Sequence, residues 1–299
     1  MTLALAMILD ALFGEPDWLW RRIPHPAVVM GRIIGAADRR FNQGTARRAK
    51  GVLVMAALVL AAGVLGELIA ALPGGGVLEV ILAAILLAQK SLVDHVRAVA
   101  TGLRRGLEEG KRAVAMIVGR DTAPMREPDV ARAAIESAAE NLSDGVIAPA
   151  FWFLVAGLPG ILIYKITNTA DSMIGHMTPR HRQFGWAAAR LDDVLNLIPA
   201  RLTALLLALT HGWLDPAPVL RDAPRHRSPN AGWPESVLAP ILNVALAGPR
   251  SYNGRMVDYP WVWPEGRRDP GPDDIDAACG ALWRAWGAML AVALLVGLL

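Results

Sequence analysis

The sequence is poor in charge and almost free of cysteine. Only 19% of its 299 residues are charged, whereas a soluble domain usually carries about a quarter. The single cysteine, Cys279, excludes an internal disulfide and a metal site built from several thiolates. The chain has no long basic run interleaved with aromatic residues, so we expect no nucleic-acid partner. The shortage of charge points instead to a second apolar solvent, the lipid bilayer.

Long hydrophobic runs stand out in a sequence of which 54% is apolar. The clearest run extends from Gly51 to Leu72 with Glu67 as its only charge, long enough to cross about 30 Å of hydrocarbon. After a turn at Pro73–Gly76, a second run extends from Val77 to about Val93, and another closes the chain from Ala281 to Leu299. These runs predict an all-α, polytopic integral membrane protein.

Basic residues on either side of the first two runs predict the orientation of the chain. The segments Asp10–Lys50 and Asp94–Asp144 each contain eight Lys and Arg residues. Because positive segments stay in the cytoplasm, both should be cytoplasmic and the Pro73–Gly76 turn should lie outside. We therefore expect a multi-pass protein of the cell (inner) membrane whose active site faces the cytoplasm.

The middle of the chain is apolar but broken. Val146–Ile163 is interrupted by Gly157-Leu158-Pro159-Gly160. A single span would place its polar flanks on opposite sides of the membrane, whereas two half-helices would return the chain to its starting side. We favour re-entry because both flanks carry candidate chemistry, and irregular backbone is tolerated at membrane depth where protein or water covers it. Leu202–Trp213 and Val237–Ala247 are short enough to form a second partial hairpin. The prediction is one domain over residues 1–299 with roughly four to five membrane segments, some broken or re-entrant.

Three acidic residues precede the broken run at intervals of four. On an α-helix, Glu136, Glu140 and Asp144 drift by only about 40° per step and share a face. Three carboxylates on one face repel one another unless a cation neutralises them, and hard oxygen ligands suit Mg²⁺. A solvated acidic stripe is the plain alternative. Since this stripe leads directly into a membrane segment, we predict a metal site.

A second polar group follows the broken run. Asn168 and Asp171 are three residues apart and therefore share a helical face. Polar groups at a membrane boundary are often functional, although a helix cap is the alternative. Further on, Arg190 precedes Asp192 and Asp193. Adjacent residues on a helix point in different directions, so we expect one acid to pair with Arg190 while the other faces the site.

Two loops add further candidates. His25 stands between two prolines that fix its backbone, which suits a positioned acid or base as well as a structural histidine. Asp10 and Asp17 lie in the same turn-rich entry segment. Arg225–Glu235 combines cations, an amide and an aromatic ring, a mixture that suits an anionic ligand with a large apolar face or a plain basic juxtamembrane loop. Its candidates are Asn230, Trp233 and Glu235.

No familiar nucleotide-binding motif is present. Gly106–Arg112 resembles a P-loop, but its spacing is one residue short and Arg112 replaces the Ser or Thr that would contact Mg²⁺. We therefore reject it as a P-loop. If the protein uses ATP, the location of the ATP site is left open.

Several separated segments resemble the CobD/CbiB family of cobalamin biosynthesis. They occur in order along nearly the whole chain: LDALFGEPD (9–17), PHP (24–26), ESAAENLSDGVIAP (136–149), YKITNTADSMIG (164–175), FGWAAARLDDVLNLIPARLTALL (184–206) and HRSPNAGWPES (226–236). The AmpE-like branch, membrane proteins linked to β-lactamase induction, is similar in architecture but matches these motifs less closely.

The resemblance implies an amide ligase that uses ATP and Mg²⁺. Such an enzyme joins the one free propionate of adenosylcobyric acid to (R)-1-aminopropan-2-ol or its O-phosphate, which gives adenosylcobinamide or its phosphate. The expected route activates the propionate as an acyl phosphate that the amine then attacks.

With this activity in mind, we assign roles to the candidates. The expected ligands of the metal or of the amine are Glu136, Glu140, Asp144 and Asp171. Lys165 and Arg190 would stabilise developing charge, and a carboxylate or His25 would remove the ammonium proton. The expected substrate contacts are Asn141, Asn168, Arg190, Asp192, Asp193, Asn230, Trp233, Glu235, Asp10 and Asp17.

Two other classes of protein fit parts of the pattern. A membrane Mg²⁺-dependent prenyl or alcohol phosphate transferase also places Asp- and Asn-rich helices at the cytoplasmic surface, but its characteristic spacings are absent. A non-enzymatic AmpE-like signalling protein is the other alternative. The residues leave open which amine is the acceptor and whether the protein acts as a homo-oligomer.

Overall fold

A computed structural model describes residues 1–252 and 254–298, with every side chain among them except that of Asp17. The chain divides into two compact units that are both assembled from separate stretches of sequence. The first contains Met1–Ala88, Ala148–Leu197 and Ala293–Leu299, and the second contains Gln89–Ile147 and Ile198–Val292. The expectation that residues 1–299 act as one domain stays a prediction.

The first unit is built from helices. They are α1 (Thr2–Phe13), α2 (Asp17–Trp20), α3 (Pro26–Phe41), α4 (Arg47–Ala70), α5 (Gly75–Leu86), α9 (Ala148–Ile174) and α10 (Trp186–Leu195). A cluster of buried apolar side chains from α3, α4, α9 and α10 forms a core that contains Ile34, Met55, Ile166, Ala170, Ile174, Phe184 and Ala188. Phe184 lies just before α10.

The second unit combines helices with short strands. Its helices are α6 (Gln89–Arg105), α7 (Leu107–Val114), α8 (Glu127–Leu142), α11 (Leu197–His211, from its second residue), α12 (Ala217–Asp222), α13 (Gly232–Leu242) and most of α14 (Pro272–Leu298). A π-helix at Ser143–Ile147 follows α8, and a 3₁₀ turn at Ala223–Arg225 follows α12. Its strands are β1 (Leu246–Ala247), β2 (Arg250–Tyr252), β3 (Arg255–Val257) and β4 (Trp261–Val262).

The strands form two antiparallel pairs. β1 pairs with β4, and β2 pairs with β3 in the register Arg250 to Val257. The side chain of Asp121 anchors the β2–β3 hairpin, because its Oδ2 accepts hydrogen bonds from Ser251 Oγ and from the Gly254 amide, both at 2.7 Å. This anchor fixes Arg250 at the start of the hairpin.

The helices confirm the predicted membrane class. Four helical segments in the described part of the chain are long and apolar enough to cross a bilayer: Arg47–Ala70, Gly75–Arg105, Glu127–Ile174 and Pro272–Leu298. The pair Trp186–Leu195 and Leu197–His211 would add a fifth if it formed one bent span. The prediction of an all-α polytopic protein with four to five membrane segments is confirmed.

The break predicted in the middle of the chain is present in α9. Ala156 and Gly157 leave the helical conformation, and Gly157 has φ 58° and ψ −148°, a region open almost only to glycine. A Cβ on Gly160 would lie 2.2 Å from the carbonyl oxygen of Trp152. Residues eight apart in a straight helix are about 12 Å apart, so the chain folds back sharply here. The re-entry of this hairpin on one membrane face stays a prediction.

Glycine also lets α4 pack closely in the first unit. A Cβ on Gly66 would lie 2.6 Å from backbone atoms of Pro159, and one on Gly51 would lie 1.9 Å from the carbonyl oxygen of Phe184. Any larger residue would push α4 away from the break in α9 and from the segment before α10.

Two sequence boundaries need correction. The apolar run predicted from Val77 to Val93 is interrupted, because Leu87 adopts an extended conformation between α5 and α6. The run predicted from Val237 to Ala247 is not one apolar segment either. Asn243 ends α13 in the left-handed conformation, φ 51° and ψ 45°, and the chain then enters β1.

Candidate functional sites

Glu136 lies at the centre of a buried arginine cluster in the second unit. Only 3% of Glu136 is exposed. Its Oε2 accepts a 2.6 Å hydrogen bond from Arg120 and lies 3.4 Å from Arg250 Nη2. Its Oε1 accepts a 2.7 Å bond from the Ala247 amide and lies 3.9 Å from Arg132 Nε. One carboxylate therefore holds three guanidinium groups together.

Glu235 is a second buried acid beside this cluster. Its Oε2 has no hydrogen-bond partner among the described residues, and its Oε1 lies 3.9 Å from Nε2 of His226. Burial, reinforced by the negative charge of Glu136, raises the pKa of Glu235 well above its ordinary value. Burial and the charge of Arg250 lower the pKa of His226. Both groups are thus biased toward their neutral forms.

The end of α8 turns its polar groups outward. Glu140 and Asn141 are exposed, and Asp144 is half-buried in the π-helix, a distortion that is frequent at functional sites. Asn141 donates to the Ser137 carbonyl at 2.9 Å. The charge of Glu140 acts on Glu235, so the end of α8 and the predicted 226–236 loop segment approach each other in this unit.

The metal site expected at Glu136, Glu140 and Asp144 stays a prediction. Across residues 1–252 and 254–298, no three His, Cys, Asp or Glu side chains are grouped to hold an ion. The oxygens of Glu136 would have to give up arginine and amide partners to bind a metal. Glu140 is exposed and Asp144 is half-buried, so water and a substrate can reach them more easily than the buried Glu136.

A network of acids and amides forms the polar centre of the first unit. Asp192 accepts hydrogen bonds from Asn168 at 3.2 Å and from Asn196 at 3.0 Å. Asn196 in turn accepts from the hydroxyl of Tyr164 at 2.9 Å. Asp192 is buried. Because Asn168 lies in α9 and Asp192 lies in α10, the network joins these two helices.

The neighbouring acids complete the network. Arg190 lies 3.0 Å from Asp193, as expected for one of the two adjacent acids, and the expectation that the other acid, Asp192, faces the site stays a prediction. Asp171 interacts electrostatically with Asp192 and Asp193. A Cβ on Gly175 would lie 1.8 Å from Oδ1 of Asp171, so the absence of a side chain there makes room for this carboxylate.

Comparison with known proteins identifies the family. A family model described as CobD/Cbib protein matches residues 3–282. The chain is 49% identical to Cobalamin biosynthesis protein CobD of Sinorhizobium sp over 317 residues, which cover 100% of this chain and 98% of that relative. The chain belongs to the CobD/CbiB family.

Other relatives of the same name agree over their full lengths. The CobD proteins of Sinorhizobium fredii and Rhodobacter capsulatus are 50% and 47% identical over 304 and 309 residues. These alignments cover 95% and 99% of this chain and 93% and 96% of the relatives. No solved structure matches the chain significantly. The resemblance seen in the separated motifs is therefore confirmed.

Of the N-terminal candidates of this CobD/CbiB protein, His25 and Asp10 have described side chains. His25 begins α3 as its cap, because its Nδ1 accepts a 3.1 Å hydrogen bond from the Ala27 amide. Burial lowers the pKa of His25, and removal of a proton by Nδ1 would require the cap to open. Asp10 is buried at the end of α1, and the side chain of Asp17 lies outside the described residues.

The substrate-loop candidates are held by α11. Arg201 stacks over the ring of Trp233 with 4.4 Å to its centroid, and it donates to Asn230 Oδ1 at 3.4 Å. Arg201 and Trp233 also line an apolar cavity of about 270 Å³. The CobD/CbiB chain thus places an aromatic ring and an amide at one edge of an apolar hollow.

The acid–amide network and the arginine cluster belong to different compact units. The expectation that the two flanks of the broken hairpin form one site stays a prediction. Sequence reasoning missed the arginines of the cluster, namely Arg120, Arg132 and Arg250. Arg120 and Arg250 lie outside α8 and carry no spacing signal, whereas Arg132 stands four residues before Glu136, a spacing that predicts a pair on one helical face.

Proposed function

We propose that this protein is an amide ligase of cobalamin biosynthesis. It joins the free propionate of adenosylcobyric acid to (R)-1-aminopropan-2-ol or its O-phosphate, using ATP and Mg²⁺. The observation that supports this most is the similarity, along nearly the whole chain, to relatives named for cobalamin biosynthesis. A second support is that the first unit contains an acidic polar centre and the second unit, taken by itself, contains a basic one.

The proposed reaction has two steps. A carboxylate oxygen of the propionate first takes the γ-phosphoryl group of ATP, which forms an acyl phosphate and releases ADP. The amine nitrogen then attacks the acyl carbon, the bond from that carbon to the phosphate oxygen breaks, and inorganic phosphate leaves. The attacking amine must lose protons, so a basic side chain has to lie near it.

The acid–amide network of the first unit suits the amine. Its three neighbouring carboxylates attract an ammonium group. Asn168 holds Asp192 and Arg190 holds Asp193, which leaves Asp171 as the candidate among the three. We assign Asp171 to the ammonium group and to its proton. Asn168 positions the acids, and Lys165 stabilises developing negative charge.

The end of α8 suits a magnesium ion. Mg²⁺ is usually held by one or two carboxylates together with substrate phosphates and water, so a complete protein cage is not required. Glu140 and Asp144 supply two carboxylates four residues apart. A bound ion there would neutralise phosphate charge. We assign Glu136 instead to positioning of the arginines that surround it.

The Asn230–Trp233 segment suits the corrinoid. A corrin has a broad apolar face and a rim of amides. The cavity beside Trp233 is lined by apolar residues of α11, α12 and α13, and the amide of Asn230 lies at its Arg201 side. This arrangement offers contacts to an edge of such a ligand.

The activity is tested with the purified full-length protein in detergent. Adenosylcobyric acid, ATP and Mg²⁺ are incubated with each amine, and the corrinoid products and nucleotides are followed by mass spectrometry. We expect one corrin amide and one ADP per amine consumed, with one of the two amines preferred. Formation of no corrin amide with either amine would overturn the proposal.

A further inference from the structure

A basic cavity of the second unit has no role in the assignments above. It encloses about 320 Å³ between the loop before α8 and the β2–β3 hairpin. Four arginines line it: Arg120, Arg126, Arg132 and Arg250. The rest of the wall includes the acids Asp121 and Asp129 and the indole of Trp261.

The charge of this arginine cavity favours an anion. Its four guanidinium groups face two lining acids, and Glu136 lies behind three of the arginines. Asp121 is committed to the β2–β3 hairpin. The four arginines outnumber Asp121, Asp129 and Glu136, and burial raises the pKa of the nearby Glu235, which biases that acid toward its neutral form.

Two of the arginines have unmet hydrogen-bonding capacity. Arg132 is 6% exposed, and its buried Nε has no hydrogen-bond partner among the described residues. The buried Nε of Arg250 also has no hydrogen-bond partner among the described residues. A buried donor without an acceptor is destabilising, because it has lost its hydrogen bonds to water. Such donors beside a cavity indicate that a ligand supplies the missing acceptors.

The arginines are held in place before any ligand arrives. Glu136 contacts Arg120, Arg132 and Arg250 from one side. Arg132 also lies over the ring of Trp261, 5.0 Å from its centroid, and contacts Asp129 at 2.9 Å. A guanidinium has five N–H donors, so these contacts leave donors for a ligand and reduce the entropy lost when it binds.

We propose that this arginine cavity binds the phosphate group of a substrate. Planar guanidinium groups match phosphate oxygens with paired hydrogen bonds. The inference rests on the proposed function in one respect, because that reaction offers two sources of phosphate. One is the polyphosphate of ATP, and the other is the phosphate of phosphorylated aminopropanol.

Inorganic pyrophosphate is the direct probe. Its affinity for the full-length protein in detergent is measured by calorimetry without corrinoid and without turnover. Arg132→Lys keeps the charge but removes the planar fork, and Arg126→Gln removes an 81% exposed side chain with little risk to folding. We expect each change to weaken pyrophosphate binding about tenfold or more.

Arg112→Gln is the matched control. Arg112 is 74% exposed and pairs with Glu109 three residues away, as Arg126 pairs with Asp129, but it lies outside this cavity. Its replacement should leave pyrophosphate affinity unchanged. Absence of pyrophosphate binding by the wild-type protein, or equal weakening by Arg112→Gln, would overturn the proposal.

Competition identifies the source of the phosphate. Displacement of pyrophosphate by a non-hydrolysable ATP analogue assigns the cavity to the nucleotide, and displacement by aminopropanol phosphate but not by aminopropanol assigns it to the amine. Displacement by neither would remove the cavity from the reaction. If the protein binds pyrophosphate through these arginines but forms no corrin amide, the ligase proposal is refuted and the phosphate site is retained. If it forms the corrin amide but does not bind pyrophosphate through these arginines, the phosphate site is refuted and the ligase proposal is retained.

Discussion

Glu136 and Glu140 stand one helical turn apart on α8 but have opposite surroundings. Glu136 is enclosed by guanidinium groups from three segments of the second unit, whereas Glu140 is exposed. Breaking a buried ion pair by removing one partner costs about 3–5 kcal/mol, because the other charge is left buried and uncompensated. Loss of an exposed acid costs little. We therefore assign a structural role to Glu136 and a chemical role to Glu140.

Replacement of each acid by its amide should have a different result. Glu136→Gln leaves three arginines without their carboxylate, so we expect a loss of about 3–5 kcal/mol in stability. Glu140→Gln should change stability by less than about 0.5 kcal/mol and abolish corrin amide formation. Thermal unfolding in detergent and the product assay measure the two effects.

The control for this pair lies at the other end of α8. Glu127 is exposed there and belongs to none of the proposed sites, so Glu127→Gln should keep wild-type stability and activity. Wild-type activity of Glu140→Gln would refute its metal role. An unchanged unfolding temperature of Glu136→Gln would refute the positioning role assigned to Glu136.

Glu235 should make stability depend on pH. Its pKa in the folded protein is raised above the ordinary 4.5, so folding favours the protonated form. The resulting stability is fully present below pH 4.5 and is lost as the pH rises through the raised folded pKa. We expect the unfolding temperature of the wild-type protein to fall across this range more steeply than that of Glu235→Gln.

The comparison of slopes isolates this residue. Glu127→Gln should retain the wild-type pH dependence, because Glu127 is exposed and is not among the groups that shift the pKa of Glu235 most. Equal slopes in Glu235→Gln and the wild-type protein would show that Glu235 titrates normally in the folded state.

At the scale of elements, composition predicts helices and breaks better than it predicts short strands. The Gly157–Gly160 segment predicted the break in α9, because glycine permits the required conformation and proline removes a helical hydrogen bond. The π-helix at Ser143–Ile147 could not be foreseen, since its sequence, Ser-Asp-Gly-Val-Ile, carries no signal specific to a π-helix. The strands around Arg250 have only two or three residues, too few for an alternating pattern.

Gly157→Ala tests the break directly. With φ 58° and ψ −148° at this position, an alanine should cost about 1–3 kcal/mol through backbone strain. The thermal unfolding temperature should fall. Gly280→Ala is the control, because Gly280 lies in α14 with open space where its Cβ would be. That change should be neutral or stabilise by up to about 1 kcal/mol. A rise in both variants would show that the chain is not strained at Gly157.

At the scale of the whole molecule, the sequence patterns predicted the membrane class, the number of segments and the family, but only part of the site. Hydrophobic length and motif order are properties of contiguous stretches, so they can be read along the chain. The contact of Glu136 with Arg250 joins segments more than a hundred residues apart, and Arg120 reaches Glu136 from the loop before α8. Such partners are selected by packing, so the spacing of the acids alone predicts a metal at Glu136 where the structure places arginines.

The sidedness of the hairpin in α9 remains open to a direct test. The only native cysteine, Cys279, is buried, so a Cys279→Ala protein provides a background for single cysteines at positions 76, 140 and 171. The close approach of Gly160 to Trp152 implies that the chain turns back within α9. We therefore expect an impermeant maleimide to label positions 140 and 171 from the cytoplasmic side only.

Position 76 supplies the opposite reference. It is the second residue of α5 and the last residue of the predicted Pro73–Gly76 turn, and a Cβ there would meet open space. The distribution of basic residues predicts that this turn is outside. Its labelling from the outer side in intact cells, together with labelling of 140 and 171 only in inverted vesicles, would establish re-entry. Labelling of 171 from the same side as 76 would instead make α9 a kinked span. The acids of the first unit that we assign to the amine would then face the outside of the cell. No ATP is available there, so Asp171 could not serve the proposed ligation.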